Sequence, residues 1–332
     1  MSMTETIKLY DRDAYAIEFE ADVISCEPNK ADDKQFDIIL NQTLFFPEEG
    51  GQSPDMGILG GYRVVDVQIK NGVITHTVDI SAGDCCIMGK EEAQTEKKTD
   101  GQIIGMECAS EKAELAAGVH VHGKIDWQHR FYNMQQHSGE HIFSGIVHRR
   151  FGFENVGFHL SDSVVTMDFS GVISPEDIAD VEHEVNVAIS KNIPIEVTYP
   201  SKDELAQMEY RSKIEIEGQV RIVTVPGYDV CACCAPHVKR TGEIGMLKVM
   251  NYQNYKGGVR ISILCGFRAL EAFRQKCDII SELMGIFTTN QEAIVDNVTK
   301  LKAVNQSLKS ELGTAKSALL DYKVAELSLI HI

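Results

Sequence analysis

His137 and His141 stand four residues apart in QQHSGEH, and Cys233 and His237 stand four apart in CACCAPHV, far downstream in the same chain. On a helix, a spacing of four projects two imidazoles from one face, one turn apart, where both reach a single metal ion. If the two pairs share that ion, the fold must bring residues 137–141 against residues 233–237, a strong constraint on any architecture. The alternative for the first pair alone is a packed or surface pair of histidines. Imidazole and thiolate donors from two separated segments are the usual donor set for zinc. Cys231 and Cys234 are spare thiols beside them. Four protein ligands normally close a structural site, whereas catalysis keeps a position for water or substrate; a weakly held fourth ligand or a five-coordinate intermediate would reconcile the two.

Composition narrows the compartment and the partners. The 332 residues carry 32 Lys and Arg against 49 Asp and Glu, a net charge of −17, so the overall field repels polyanions and acidic membranes. The nine cysteines are odd in number, and four lie in the adjacent pairs 85–86 and 233–234, which suits reduced thiols better than a disulfide framework. Cys85 and Cys86 read as small buried side chains. No apolar stretch approaches the length of a membrane helix, and MSMTETIKLYDRD lacks the regions of a signal peptide, so the expected location is the cytoplasm, away from membranes.

The chain reads as α+β in three parts. Residues 1–123 are β-rich: Tyr15 to Val23 alternate, Phe36 to Phe46 is a second β-prone run, and Tyr62–Ile69 meets Val73–Ile80 across Lys70-Asn71-Gly72, a hairpin signal. Short antiparallel strands with tight turns predict a small barrel or sandwich. FFPEEGGQSPDMG, residues 45–57, must be a shaped loop, and 90–114 reads as a surface insertion. Residues 124–270 interleave helices with strands. From Lys124 the pattern turns helical, with Ile125, Gln136, His137, His141, Ile142 and Ile146 in one segment uninterrupted by Pro, and another helix starts at Ser174-Pro175-Glu176-Asp177 with the apolar face Ile178, Val181, Val185, Ala188 and Ile189. Strand-like runs follow at 193–199 and 220–225, then a hairpin over 246–264 turning near Lys256-Gly257-Gly258. In residues 271–332, Val298, Leu301, Asn305, Leu308, Leu312, Ala315, Leu319 and Tyr322 form a heptad seam. It predicts either a two-stranded coiled coil, hence a homodimer through the C-terminal helix, or one long helix packed on its own chain or on a partner hairpin. The closing AELSLIHI reads as the truncated start of a further domain.

HSGEH also matches the HxxEH pattern of inverted zinc metallopeptidases, in which Glu140 would activate a metal-bound water; an exposed helix residue is the other reading of Glu140. Against the peptidase stands the Cys/His cluster, since such enzymes complete the site with a carboxylate.

FFPEEGGQSPDMG, MQQHSGEHIFSGIV and CACCAPHVKRTGEIG occur in that order, and together they resemble the successive signatures of the alanyl-tRNA editing domain, found in alanyl-tRNA synthetases and in free-standing editing proteins of the AlaX type. The resemblance spans roughly residues 15 to 270. It implies an N-terminal small β-barrel and a zinc-containing α+β editing domain, with one Zn2+ held by His137, His141, Cys233 and His237. Between the last Cys and His this chain has Cys234, Ala235 and Pro236 where the family commonly has small residues and a threonine, which leaves Cys231 or Cys234 open as a substitute ligand. Ser138-Gly139 is closer to the free-standing proteins than to the synthetases, and nothing resembles the synthetase ATP-binding core.

The resemblance implies a hydrolase serving translation fidelity, which deacylates alanine tRNA mischarged with serine or glycine. In that setting Gln52, Gly50 and Gly51 of the glycine-rich loop, which begins at Glu49, would bind the terminal ribose or the aminoacyl carbonyl, and Thr43 would recognise the serine hydroxyl. Gly50 and Gly51 read equally well as a tight turn. The alternatives are the metallopeptidase and a zinc-bearing tRNA-binding module without catalysis. Contact with tRNA needs cations despite the overall charge: Val238 to Lys276 holds eight Lys or Arg against two Glu, a local balance of +6. Lys239, Arg240, Lys256 and Arg260 of that stretch, with Arg130, Arg149 and Arg150 beside the metal helix, are the expected phosphate contacts, and Tyr252 and Tyr255 are available for stacking. A solvated basic face is the other reading.

Overall fold

The computed structural model describes residues 5–80, 115–161, 163–212 and 218–330. The expected insertion at 90–114, with Cys85 and Cys86, lies outside them. The chain divides into two compact units, Met1–Ala269 and Leu270–Ile332.

In chain order the first unit opens with strands β1 (Ile7–Lys8), β2 (Glu18–Pro28), β3 (Gln35–Leu40), β4 (Gln42–Thr43), β5 (Gly57–Leu59), β6 (Tyr62–Lys70), β7 (Val73–Asp79) and β8 (His120–Ile125). Six of these close on themselves as a barrel in the order β2-β3-β7-β6-β5-β8. The β6–β7 hairpin turns at Asn71 and Gly72, whose φ values of 51° and 77° are those a tight two-residue turn demands. The barrel core is Phe19, Ala21, Val23, Ile38, Leu40, Phe45, Val67, Ile74 and their neighbours. The alternating burial of β2 shows the period-2 pattern seen in the sequence, although the strand starts at Glu18 and not at Tyr15.

Helix α1 (Trp127–Phe151) follows directly. Asp126 caps it by accepting the His129 backbone N–H, and Gly152, left-handed, ends it. The helix runs through the protein interior, so its buried face carries Arg130, Asn133, Gln136, His137, Ser138, Glu140, His141 and Ser144 as well as apolar side chains. Each buried polar group then needs a partner; Gln136, for example, pairs through both ends of its amide with the backbone of Cys265.

Around α1 stand β9 (Asn155–Leu160), β10 (Val165–Phe169), α2 (Pro175–Ser190), β11 (Glu196–Thr198), α3 (Lys202–Leu205), β12 (Ile222–Val225), β13 (Asp229–Ala232), β14 (Leu247–Tyr255) and β15 (Gly258–Cys265). They form an antiparallel sheet β14-β15-β10-β9 and a smaller one, β11-β12-β13. Ser174 caps α2, and the face buried against α1 is Ile178, Val181, Val185, Ala188 and Ile189. Gly145 lets β13 lie close to α1: a Cβ there would sit 2.4 Å from the Tyr228 carbonyl oxygen.

Barrel and helix are joined by a buried ion pair. Arg130 and Asp55 are both fully buried; Arg130 Nε lies 3.0 Å from the carboxylate, and the guanidinium also donates to the carbonyls of Ala14 and Leu44. Arg130, expected at the tRNA surface, is thus an internal staple. Its charge is needed to neutralise Asp55 in a dry interior.

Helix α4 (Gly266–Phe287) leads into the second unit, and α5 (Ile294–Ile330) makes up most of it. Along α5, Val298, Leu301, Leu308, Leu312, Leu319 and Tyr322 are all exposed, between 43% and 79%. Among the described residues no helix is long and apolar enough to cross a membrane.

Candidate metal centre

One Sγ and three imidazole nitrogens, from Cys233, His137, His141 and His237, lie within 4.8 Å of one another. Helix α1 supplies two of them one turn apart, and the segment after β13 supplies the others. Cys233 Sγ is 3.6 Å from His137 Nε2 and 3.4 Å from His237 Nε2. The three histidines are 5% exposed or less, whereas Cys233 is partly exposed.

Each imidazole is held by its other nitrogen. His137 Nδ1 lies within hydrogen-bond reach of Gln52 Oε1 at 2.7 Å and His237 Nδ1 of Ser138 Oγ at 3.0 Å, while His141 Nδ1 is ion-paired with Asp229 Oδ2 at 3.0 Å. In the neutral tautomer that carries its proton on Nδ1, each ring offers the Nε2 lone pair to a cation. Asp229 is itself gripped by the Arg211 guanidinium, Nε to Oδ1 at 2.7 Å and a terminal nitrogen to Oδ2 at 2.9 Å.

The electrostatics favour a thiolate at one position only. Burial alone would push the Cys233 thiol up, but the neighbouring His137 and His237 imidazoles, with hydrogen bonds from His137 and His141, hold it well below the ordinary thiol value. Burial pushes the Cys231 and Cys234 thiols up. Neither joins the four-donor group: Cys231 faces inward with Asp229 on β13, and Cys234 lies under Gly50. Burial takes His237 down to about 3, keeping it neutral, as a ligand must be. Burial also opposes the charged form of His141, yet the contacts to Asp229 and Cys233 outweigh it and raise the ring, so a cation at Nε2 would bind there by displacing a proton.

The glycine-rich loop reaches the cluster through Gln52. Gly50 and Gly51 have φ of +63° and +84°, and a Cβ on Gly51 would sit 2.5 Å from the Phe158 carbonyl oxygen, so the backbone there passes where no other residue fits. That approach lets Gly51 O accept from Leu160 N and places Gln52 beside α1. Gln52 is fully buried, and its Nε2 has no hydrogen-bond partner. Thr43 lies elsewhere, in the barrel core, where its hydroxyl donates to His76 Nε2 at 2.8 Å and accepts from Phe45 N–H.

Glu140 is 1% exposed, and its Oε1 accepts from Ser144 Oγ and Asn155 Nδ2, both at 2.6 Å. It is neither an exposed helix residue nor a member of the four-donor group.

The expected phosphate contacts divide by their partners. Arg149 and Arg150 are exposed, yet both grip Glu184. Arg260 forks onto Asp168 and covers the Tyr255 ring at 3.9 Å. Lys239, 65% exposed above the Tyr15 ring, has only a long contact of 4.0 Å to Asp13, Arg240 is exposed with one nitrogen on the Asn192 carbonyl, and Lys256 stands at the β14–β15 turn. These last three keep charge facing solvent.

Asp229, Arg211 and Ser138 were not singled out from the sequence. A signal existed for Asp229: in DVCAC, strand alternation puts Asp229 and Cys231 on one inward face, and Cys233 follows two residues later.

The family model described as "Threonyl and Alanyl tRNA synthetase second additional domain" matches residues 220–262, which include Cys233 and His237. The chain is 24% identical over 323 residues to "Alanyl-tRNA editing protein AlaX-L" of Pyrococcus horikoshii, covering 95% of this chain and 72% of that protein. It is 28% identical over 317 residues to "Alanyl-tRNA editing protein Aarsd1" of Danio rerio, covering 91% and 69%. Against "Alanine--tRNA ligase" of Ignicoccus hospitalis it is 27% identical over 331 residues, 96% of this chain but only 32% of the ligase. By motif order, metal donors and similarity along nearly its whole length, the chain is a homologue of the alanyl-tRNA editing proteins.

Proposed function

We propose that the protein is a zinc-dependent trans-editing hydrolase that deacylates alanine tRNA mischarged with serine or glycine, acting in the cytoplasm. The observation that carries the reading is the convergence of three imidazoles and the Cys233 thiol beside Gln52, whose Nε2 has no hydrogen-bond partner. The donor set fits zinc. Ligands at ordinary Zn–S and Zn–N lengths on a tetrahedron lie about 3.5 Å apart, and the Cys233 contacts are 3.4 and 3.6 Å.

A second site is needed because a pocket for alanine excludes glycine poorly; one small apolar group is worth only about 1–3 kcal/mol. Bound zinc would polarise the aminoacyl ester and lower the pKa of an attacking water toward about 7. The chain's own residues do the rest. Gln52 holds His137 with Oε1 and offers Nε2 to the ester carbonyl or the terminal ribose. Gly50 and Gly51 keep the loop close enough for that donor to be buried. Thr43 remains our candidate for sensing the serine hydroxyl through the strand that leads into the loop, its own hydroxyl being held by His76. Lys239, Arg240 and Lys256 supply phosphate contacts. The exposed α5 seam would pair two copies in a homodimer.

The metallopeptidase reading asks Glu140 to act as base, and its hydrogen bonds to Ser144 and Asn155 speak against that. The test is release of serine or glycine from mischarged alanine tRNA, with zinc assayed on the same sample. His137→Ala and Cys233→Ala should abolish release; a zinc-loaded protein that leaves every such ester intact, or that loses peptide cleavage in Glu140→Gln, overturns the proposal.

A further inference from the structure

The three metal-facing histidines are held by partners of unequal kind: an amide oxygen on His137, a hydroxyl on His237 and a carboxylate on His141. Only the last carries charge, and it is built in deeply. Asp229 and His141 are almost fully buried, and both oxygens of Asp229 are also engaged by Arg211. Arg211 is fixed in turn by its backbone, whose N–H donates to Val230 O while its carbonyl accepts from Ala232 N–H. The approach depends on Gly145, where a Cβ would sit 2.7 Å from Asp229 Cβ. Nothing about this arrangement is needed to pack an apolar core.

Charge counting says what it does. A divalent cation on three neutral imidazoles and one thiolate leaves a buried centre with one net positive charge, which is expensive away from water. A carboxylate set against a ligating imidazole raises the basicity of the ring and fixes its orientation; the Arg211 guanidinium balances the carboxylate's own charge, so the effect is local to His141. Ser138 and Gln52 fix orientation but supply no charge.

We propose that Asp229, held by Arg211, is a positioning residue that sets the affinity of the centre for its metal through His141. The inference rests on the zinc reading above. Arg211 acts through Asp229: it keeps the carboxylate in one orientation and prevents it from swinging onto the metal as a further ligand.

The experiment uses the full chain and measures zinc affinity by competition with a chromophoric chelator, together with the visible spectrum of the cobalt-substituted protein. Wild type should bind one zinc; Asp229→Asn should bind it about 10–100-fold more weakly and shift the cobalt bands. Ser138→Ala should lose less. Arg211→Gln should also alter affinity and spectrum, and the Asp229→Asn, Arg211→Gln double variant should show no loss beyond that of Asp229→Asn, since the two residues act in series. If Asp229→Asn fails to fold, Arg211→Gln alone decides, and an affinity and spectrum identical to wild type overturn the proposal. Unchanged zinc binding in Asp229→Asn, or strictly additive losses in the double variant, also overturn it. A wild type that binds no zinc overturns the metal reading itself, a result distinct from either of these.

Discussion

The Gln52 side-chain oxygen lies 2.7 Å from His137 Nδ1, so the glycine-rich loop of the barrel and the donor helix α1 share one hydrogen bond at the metal cluster. The other end of the same amide is a buried donor without a partner. One residue thus holds a ligand and presents a hydrogen to whatever enters.

Two substitutions separate those roles. Gln52→Glu keeps an acceptor for His137, now a carboxylate, but loses the free N–H donor, so zinc affinity should hold or rise while kcat for deacylation falls about 100-fold, in the range seen when one oxyanion donor is removed. Gln52→Leu removes both, and zinc affinity should then fall by about tenfold or more as well. Chelator competition and single-turnover deacylation on the same preparations check this; equal zinc loss in both variants would refute the division.

Removing the internal staple should unfold the protein without touching the reaction. Asp55→Ala leaves the Arg130 charge buried and unpaired and frees the Phe46 backbone N–H that Asp55 accepts at 2.7 Å. The expected loss is about 3–5 kcal/mol in urea unfolding. Deacylation per folded molecule should stay near wild type, and so should tRNA affinity. A large fall in tRNA affinity without a fall in stability would restore Arg130 to the nucleic-acid surface.

How much of this was readable beforehand depends on the range of the interaction. The Asn71-Gly72 hairpin, the Ser174 cap and apolar face of α2, and the Lys256-Gly257 turn are local, set by residues within a few positions of one another, and all three stand where the sequence placed them. The closeness of His137 and His141 was readable because an i, i+4 spacing on a helix carries its geometry with it, whereas Cys233 and His237 lie in irregular structure after β13, where spacing fixes no geometry. Arg130 was misread for the opposite reason. A charged residue near Arg149 and Arg150 looks like part of a basic face until its partner, 75 positions upstream, is known. Charge neutralisation is likewise invisible in composition: Arg149, Arg150 and Arg260 count toward a positive balance, yet each spends its charge on a neighbouring carboxylate.

That distinction predicts which cations matter for tRNA. Lys239→Ala, Arg240→Ala and Lys256→Ala should each weaken binding and lower the log–log salt slope by about 1, as loss of one phosphate contact does. Arg149→Ala should change the slope by much less, because its charge already serves Glu184. Binding isotherms between low and physiological salt check this. A slope lost with Arg149 but retained without Lys239 would reverse the assignment.

The seam on α5 makes its own prediction. Leu308 and Leu312 are 58% and 54% exposed, and they lie on the seam that also carries Asn305, the polar residue that fixes register in a two-stranded coil. Light scattering should give a dimer mass for the full chain, and Leu308→Glu with Leu312→Glu should give a monomer that still binds zinc. A monomeric wild type at tens of micromolar would remove the dimer from the proposal.

His76 makes stability depend on pH in a direction that can be worked out. The imidazole is fully buried in the barrel, donating from Nδ1 to the Ile38 carbonyl and accepting the Thr43 hydroxyl at Nε2, and burial holds it down to about 4 against an ordinary 6.5. As pH falls below 6.5 the unfolded chain takes up a proton that the folded chain refuses until about pH 4. The unfolded state then binds more protons, so stability is fully present above 6.5 and is lost on acidification through that window. The complete loss is roughly 3 kcal/mol, of which about 2 has developed by pH 5. Other histidines, including the metal donors, also respond to acid, so the measurement is the difference between wild type and His76→Gln in urea unfolding at pH 7.5, 6 and 5. Wild type should be the more stable at pH 7.5, and its advantage should shrink by about 2 kcal/mol at pH 5; an advantage that stays constant across that range means the buried ring is not what couples the barrel to pH.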